Sequence, residues 1–311
     1  MKRITLVRHG QSEANLSGRW QGHGDSPLST LGFEQATKLG ERFLAAGWSF
    51  DRVLSSDLSR AASTAAASAE RLGLPVAHDA QCREIDVGVW EGLTRPEVKA
   101  RFADEVAALT RGENITIGGG ESWTDLARRA EGAVTKFRTT LSDGEHGVLF
   151  AHGGFIASVI ARLCAVSRQH PARLGHMSNT SVSTLAFDGE RVVLERFNDT
   201  AHLGMLGPWA SEQLVKGATA VALAEGEHPW YEAEETAPLE GRPLGPLLHA
   251  LHRRRPGTRI RVDVPAEAHR PFLEEVIASQ NVLGPNQGLA HVIVQGDAKT
   301  LADFNVGDTR S

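Results

Sequence analysis

The segment Lys2-Arg3-Ile4-Thr5-Leu6-Val7-Arg8-His9-Gly10 decides the fold class of this 311-residue chain. Its first part is a short, mostly apolar run, which predicts a buried strand, and Gly10 predicts the turn that ends it. The region 32–47 follows, with apolar residues at helical spacing. A strand, a loop and a helix in this order are typical of the first unit of an α/β fold.

The same alternation continues along the chain. Two further strands and three further helices are predicted: strands at 52–56 and 147–151, and helices at 58–72, 122–141 and 155–166. A hairpin over 181–187 and 191–197, turning at Asp188-Gly189, is predicted to close the unit. The pattern predicts an α/β fold with a mostly parallel central sheet flanked by helices. In such sheets the ligand crevice lies beyond the carboxyl ends of the strands, where Arg8-His9, Ser55-Ser56 and His152-Gly153 fall.

The length favours two domains, because 311 residues is about twice a usual single domain. We expect a catalytic domain at 1–208 and a smaller α/β domain at 215–311, with the boundary near 205–215. The smaller domain is predicted to contain a loop at 228–241. Its regular elements are predicted as strands at 218–224, 259–264 and 290–294 and helices at 244–255 and 268–279.

Composition excludes several classes of protein. The chain has 33 basic and 38 acidic residues, so it lacks the basic excess of a nucleic-acid-binding surface. Two cysteines make neither a disulfide framework nor a zinc site, which predicts a protein of the reducing cytoplasm. No apolar run approaches the length of a membrane span or of a signal peptide, so neither a membrane protein nor a membrane partner is expected.

The pair Arg8-His9 suggests phosphoryl chemistry. A neutral imidazole is a plausible nucleophile toward phosphorus, and an adjacent guanidinium pairs bidentately with phosphate oxygens. Read alone, the same pair favours two ordinary surface residues, because a short pattern recurs by chance.

Six sequence blocks distinguish between these interpretations. In order along the chain they are LVRHGQSEAN at 6–15, QGHGDSPLS at 21–29, SSDLSRA at 55–61, REIDVGVWEG at 83–92, GGES at 119–122 and FAHGG at 150–154. Together they resemble the signature of the histidine phosphatase superfamily, the phosphoglycerate-mutase-like proteins, over about residues 1–205. The resemblance implies the phosphoglycerate-mutase-like form of the α/β fold.

The resemblance also implies roles for individual residues. His9 would attack phosphorus to form a phosphohistidine, and Glu84 would protonate the leaving group and then activate water. Arg8, Arg60 and a protonated His152 would hold the phosphoryl oxygens. The residues that would line the phosphate pocket through amides or backbone N–H groups are Asn15, Gln21, Gly22 and Gly153. Two arginines and a histidine supply charge without a metal, so neither metal nor cofactor is expected.

Some questions stay open at this level. The blocks favour a metal-independent phosphomonoester hydrolase acting on a small phosphorylated metabolite, with phosphoglycerate-mutase-type phosphoryl transfer as the alternative. A third reading is a phosphate-binding or interaction protein. Glu121 either reaches substrate or caps the helix near Ser122. The region 215–311 faintly resembles half of a GNAT-type acetyltransferase fold, and we expect it to support a homodimer or to wall the crevice.

Overall fold

A computed structural model describes residues 1–164, 177–200 and 202–203, and four further strands nearer the carboxyl end. Among the described residues up to 203 there are six strands and seven α-helices. The strands are β1 Lys2–Arg8, β2 Arg52–Ser55, β3 Val76–His78, β4 His146–Ala151, β5 Val182–Asp188 and β6 Arg191–Asp199. The helices are α1 Glu13–Leu16, α2 Thr30–Ala45, α3 Ser59–Leu72, α4 Arg95–Arg101, α5 Ala103–Thr110, α6 Trp123–Thr139 and α7 Gly153–Leu163.

The six strands form one mixed sheet in the order β3-β2-β4-β1-β5-β6. Strands β3, β2, β4 and β1 run parallel, and the hairpin β5–β6 joins the far side of β1 in the antiparallel direction. The predicted α/β class and the closing hairpin are therefore confirmed. The order places β1 beside β4 and β4 beside β2, so the carboxyl ends of these three strands are adjacent.

Both faces of the sheet are covered, as the alternation of side chains in the central strands shows. Leu6 and Leu149 belong to the core beneath α6 and α7, whereas Val7 and Phe150 belong to the core beneath α2 and α3. All four side chains are fully buried. Burial on both faces explains why these strands are continuous apolar runs in the sequence.

Helix ends follow local capping rules. The helix α3 ends at Gly73, whose φ of 67° is the left-handed conformation that glycine adopts without strain. The Ser122 side chain accepts a hydrogen bond from Asp125 N, and Asp125 bonds back to Ser122, which starts α6 with a capping box. The helix α7 starts at Gly153, two residues earlier than predicted, directly after His152.

Four elements of this unit were not predicted from the sequence. The edge strand β3 has three residues, too few for a periodic signal, and the helices α1, α4 and α5 have only four, seven and eight residues. Among the described residues the longest helix, α6, has 17 residues, and none qualifies as a membrane span.

Four strands lie in the carboxyl-terminal region: β7 Thr219–Ala224, β8 Glu235–Pro238, β9 Arg259–Asp263 and β10 Leu289–Val294. They pair in parallel in the order β10-β7-β9-β8. The prediction of a loop throughout 228–241 is wrong at β8, a four-residue edge strand whose proline is tolerated at an edge. The predicted helices at 244–255 and 268–279 and the domain boundary at 205–215 lie outside the described residues.

Candidate active site

The carboxyl ends of β1, β4 and β2 bring three predicted site segments together. Arg8 ends β1, His152 follows β4, and Ser56 follows β2. The His9 and His152 rings lie side by side, with their centroids 5.1 Å apart. The predicted crevice is therefore the place where the two histidines meet.

His9 is held with one ring nitrogen available. Its Nδ1 lies 2.7 Å from the carbonyl oxygen of Gly10. Because a carbonyl only accepts, Nδ1 carries the proton and Nε2 has a lone pair. Burial first, and then the charges of Arg8 and Arg60, lower the pKa of His9 well below its usual value. The imidazole is therefore neutral and has the electron pair that a nucleophile requires.

His152 adopts the opposite tautomer. Its Nδ1 accepts a hydrogen bond from Arg60 Nε at 3.2 Å, so its Nε2 carries the proton and donates to Ser56 Oγ at 2.9 Å. Burial and the Arg60 charge lower the pKa of His152 well below its usual value. In this structure His152 is a neutral N–H donor, whereas the family resemblance implies a protonated ring.

The two arginines are fixed in different ways. Arg60 is fully buried and donates from Nη1 to Gly24 O and from Nη2 to Gly22 O, each at 2.9 Å. Arg8 donates from Nη1 to Met177 O at 2.5 Å. Its Nε–H is buried and has no acceptor among the described residues. A buried donor without a partner is costly, and an anionic oxygen would satisfy it.

Burial lowers the pKa of Arg8 to about 10, a shift that the nearby Glu84 carboxylate opposes. The guanidinium therefore stays charged at neutral pH. Glu84 also opposes the lowering of the pKa of Arg60. The candidate acid and the two cations consequently lie within one electrostatic neighbourhood.

The Glu84 carboxylate lies at the amino end of α7. Oε2 accepts from Gly154 N and Oε1 accepts from Ile85 N, each at 2.9 Å. A Cβ atom at position 154 would lie 2.3 Å from Glu84 Oε1, a distance that atoms do not tolerate. Glycine at 154 is therefore what lets the Glu84 carboxylate approach the amino end of α7.

The four predicted substrate-binding residues occupy different environments. Asn15 Oδ1 accepts from Asn179 Nδ2 at 3.3 Å, and Gln21 Oε1 accepts from Ser12 Oγ at 2.9 Å. Gly153 begins α7, close to Arg8 Nε. The expected phosphate contact of the Gly22 N–H stays a prediction, because in this structure that group donates to Glu91 Oε2 at 2.7 Å.

The cap of α6 is supplied by Ser122 and not by Glu121, while contact of Glu121 with substrate stays a prediction. Both Glu121 carboxylate oxygens pair with Arg129, at 2.8 and 2.6 Å. Arg129 was missed altogether, because a lone arginine on an amphipathic helix has the signal of a solvated charge. The sequence also gave no role to Asn179, whose Nδ2 donates to His9 O at 3.0 Å.

Within the described part of the chain no cluster of three or more His, Cys, Asp or Glu side chains could hold a metal ion. The groups that converge on His9 are instead guanidinium and imidazole N–H donors. Such a set is suited to binding phosphoryl oxygens.

Comparison with known proteins identifies the family. The sequence model of the histidine phosphatase superfamily (branch 1) matches residues 4–200. The chain belongs to this superfamily. The match ends at residue 200, so it supports the predicted resemblance and leaves the GNAT-like comparison at 215–311 a prediction.

Relatives of this histidine phosphatase include glucosyl-3-phosphoglycerate phosphatase of Mycolicibacterium vanbaalenii, 38% identical over 192 residues, which are 60% of this chain and 84% of that protein. A probable phosphoglycerate mutase of Salmonella choleraesuis is 31% identical over 209 residues, covering 65% of this chain and 95% of its own length. The structure of a mycobacterial glucosyl-3-phosphoglycerate phosphatase with VO3 has a TM-score of 0.57 and 34% identity, covering 64% of this chain and 99% of its own. Together with the family match, these findings confirm the predicted enzyme class, a phosphomonoester hydrolase.

Proposed function

We propose that this histidine phosphatase hydrolyses its substrate in two steps through a phosphohistidine on His9 Nε2. The observation that carries the proposal is the 2.7 Å bond from His9 Nδ1–H to Gly10 O, which leaves the Nε2 lone pair for phosphorus. Phosphoryl transfer depends mainly on positioning and on stabilisation of charge. Arg8, Arg60 and His152 surround His9 with the donors that this requires.

In the first step, His9 Nε2 forms a bond to phosphorus while the bond between phosphorus and the leaving oxygen breaks. The electron pair of that bond goes to the leaving oxygen, which takes a proton from Glu84. The Arg8 Nε–H supplies a buried donor to a phosphoryl oxygen. His152 contributes its Nε2–H, and Arg60, which donates to His152 Nδ1, fixes that tautomer.

In the second step, the Glu84 carboxylate takes a proton from water as the water oxygen attacks phosphorus. The bond from phosphorus to His9 breaks, and its electron pair returns to Nε2. One acid–base group thus serves both steps, and the sum is ester plus water giving alcohol plus phosphate.

The proposed substrate is a phosphorylated small metabolite, and glucosyl-3-phosphoglycerate is the first candidate. The names of the mycobacterial relatives support this choice. Phosphate release from a panel containing this compound, 3-phosphoglycerate, phosphoserine and an aryl phosphate tests it. A value of kcat/KM for glucosyl-3-phosphoglycerate no higher than for the aryl phosphate would remove this candidate.

Mutase activity is the second candidate, because relatives include probable phosphoglycerate mutases. We expect isotopic phosphate from 3-phosphoglycerate to appear as inorganic phosphate or to stay unreacted. Conversion to the 2-isomer at a rate above phosphate release would reverse the order of the two candidates.

The proposed mechanism is independent of metal ions. Activity that a chelator abolishes and a divalent ion restores would contradict it.

For the carboxyl-terminal region we propose an accessory domain at 215–311 that supports a homodimer or forms a wall of the crevice. The described strands β7 to β10 are consistent with an α/β unit. An acetyltransferase-like role is the alternative, and binding of acetyl-CoA to the full chain would favour it.

A further inference from the structure

Arg129 on α6 makes five hydrogen bonds to the chain around Glu84. Nε and Nη2 donate to the two oxygens of Glu121, at 2.8 and 2.6 Å. The other bonds go to main-chain carbonyls at 2.9 Å each: Nη1 to Gln81 O and Arg83 O, and Nη2 to Glu84 O. A guanidinium has five N–H groups, so these bonds use its whole donor capacity.

Glu121 extends this arrangement to the other side of the acid. Its Oε2 accepts from Asp86 N at 3.0 Å, and its own N–H donates to Asp86 O at 2.8 Å. The side chains of Arg129 and Glu121 are 14% and 21% exposed, so both are mostly shielded from water. The main chain is therefore held at 83 and 84 by Arg129 and at 86 by Glu121.

The position of the acid depends on this segment. The Glu84 carboxylate accepts from Gly154 N on α7 and from Ile85 N on its own segment. A shift of residues 83–86 would therefore move the carboxylate relative to His9. The charge of Arg129 is paired bidentately with Glu121, so the arginine acts on Glu84 mainly through geometry.

We propose that Arg129, oriented by Glu121, is a positioning residue that sets the Glu84 carboxylate at the leaving-group oxygen. This inference rests on the proposed role of Glu84. It assigns Arg129 no contact with substrate. Lysine could keep the charge but has three donors on one atom, and it cannot reproduce the planar fork.

The test compares good and poor leaving groups. An activated aryl phosphate departs without help from an acid, whereas an alkyl phosphate needs protonation. We expect Arg129→Ala to lower kcat/KM for an alkyl phosphate by about 30- to 100-fold, the cost of a catalytic group displaced by about 1 Å. For p-nitrophenyl phosphate the loss should stay below about threefold, and inhibition by inorganic phosphate should be unchanged.

Arg128→Ala is the matched control, because Arg128 is the adjacent arginine, is 70% exposed and pairs only with Asp125 among the described residues. It should leave both substrates unaffected. Arg129→Lys and Glu121→Gln should show the same discrimination between leaving groups as Arg129→Ala, at smaller size. These two variants decide the question if Arg129→Ala does not fold.

Glu84→Gln separates the two ways of failing. The comparison uses kcat/KM, which reports the first step, because Glu84 is also the base of the second step and its loss lowers kcat for every substrate. If Glu84→Gln lowers kcat/KM mainly for the alkyl phosphate, and the Arg129 and Glu121 variants lower kcat/KM equally for both substrates, the positioning role is wrong and the proposed function stands. If Glu84→Gln itself lowers kcat/KM equally for both substrates, the acid assignment in the proposed function is wrong. Discrimination by Glu84→Gln and by the Arg129 variants together is the result that supports the inference.

Discussion

Replacing Gly154 by alanine tests the geometry of the acid most sharply. The added Cβ would lie 2.3 Å from Glu84 Oε1 and 3.3 Å from a ring carbon of Trp123. Ordinary contact begins at 3.4 Å, so the carboxylate must retreat by about 1 Å. We expect kcat for an alkyl phosphate to fall by about 100-fold, because a displacement of that size removes much of a positioned group's contribution.

Although kcat falls, the free energy of unfolding of Gly154→Ala should rise or stay constant. Alanine in place of glycine in a helix reduces the entropy of the unfolded chain, which stabilises by about 0.4–1 kcal/mol. Gly132→Ala on α6 is the control, since its Cβ would meet nothing within 4 Å. The assay is steady-state phosphate release from alkyl and aryl phosphates with thermal melts in parallel. Undiminished turnover of the alkyl phosphate by a folded Gly154→Ala enzyme would refute the assigned position of Glu84.

Three further predictions concern the stability of the fold and the carboxyl-terminal region 215–311. Asp199→Ala should lower the free energy of unfolding by about 3–5 kcal/mol in denaturant titration, because it leaves buried Arg42, 2% exposed, without its carboxylate; a loss below about 1 kcal/mol would count against this. Burial lowers the pKa of His146 from 6.5 to about 4, so only the unfolded chain gains this proton as pH falls from 6.5 to 4, and stability is lost over that range. His146→Gln should therefore narrow the stability difference between pH 7.5 and 5 by about 2 kcal/mol, and a pH-independent effect would contradict the assignment. Truncation after residue 210 should preserve aryl phosphatase activity while changing the number of chains per particle in solution or the substrate profile. If the oligomeric state and the substrate profile both stay the same, the proposed role of 215–311 is wrong.

The elements that could be predicted are those whose apolar residues form a recognisable local pattern in the sequence. The strands β1 and β4 are buried on both faces, so they are recognisable in the sequence as apolar runs. The helix α3 ends at Gly73, as predicted. The strand β3 could not be found, because three residues at a sheet edge are set by pairing with β2. The strand β8 was not predicted for the same reason, because it pairs with β9, which is distant in the sequence: Glu235 pairs with Ile260.

For the candidate site, the sequence predicts which residues are present but not their tautomers or their hydrogen-bond partners. The sequence blocks predict His9, Glu84 and His152 as site residues because each stands in a recognisable short motif. Tautomers and hydrogen-bond partners depend on residues distant in sequence, so no local pattern shows that His152 accepts from Arg60 and is neutral. Arg129 escaped because the carbonyls that define it lie 45 to 48 residues earlier.

The measurement that tests the central claim most directly is detection of the phosphoenzyme. Glu84→Gln, mixed with p-nitrophenyl phosphate and quenched rapidly, should accumulate one phosphoryl group per chain, because the activated leaving group departs without an acid while water lacks its base. Mass spectrometry of base-stabilised peptides should place this group on His9, and His9→Ala should show neither the adduct nor turnover. A phosphoryl group on another residue, or turnover that persists in His9→Ala, would contradict the account.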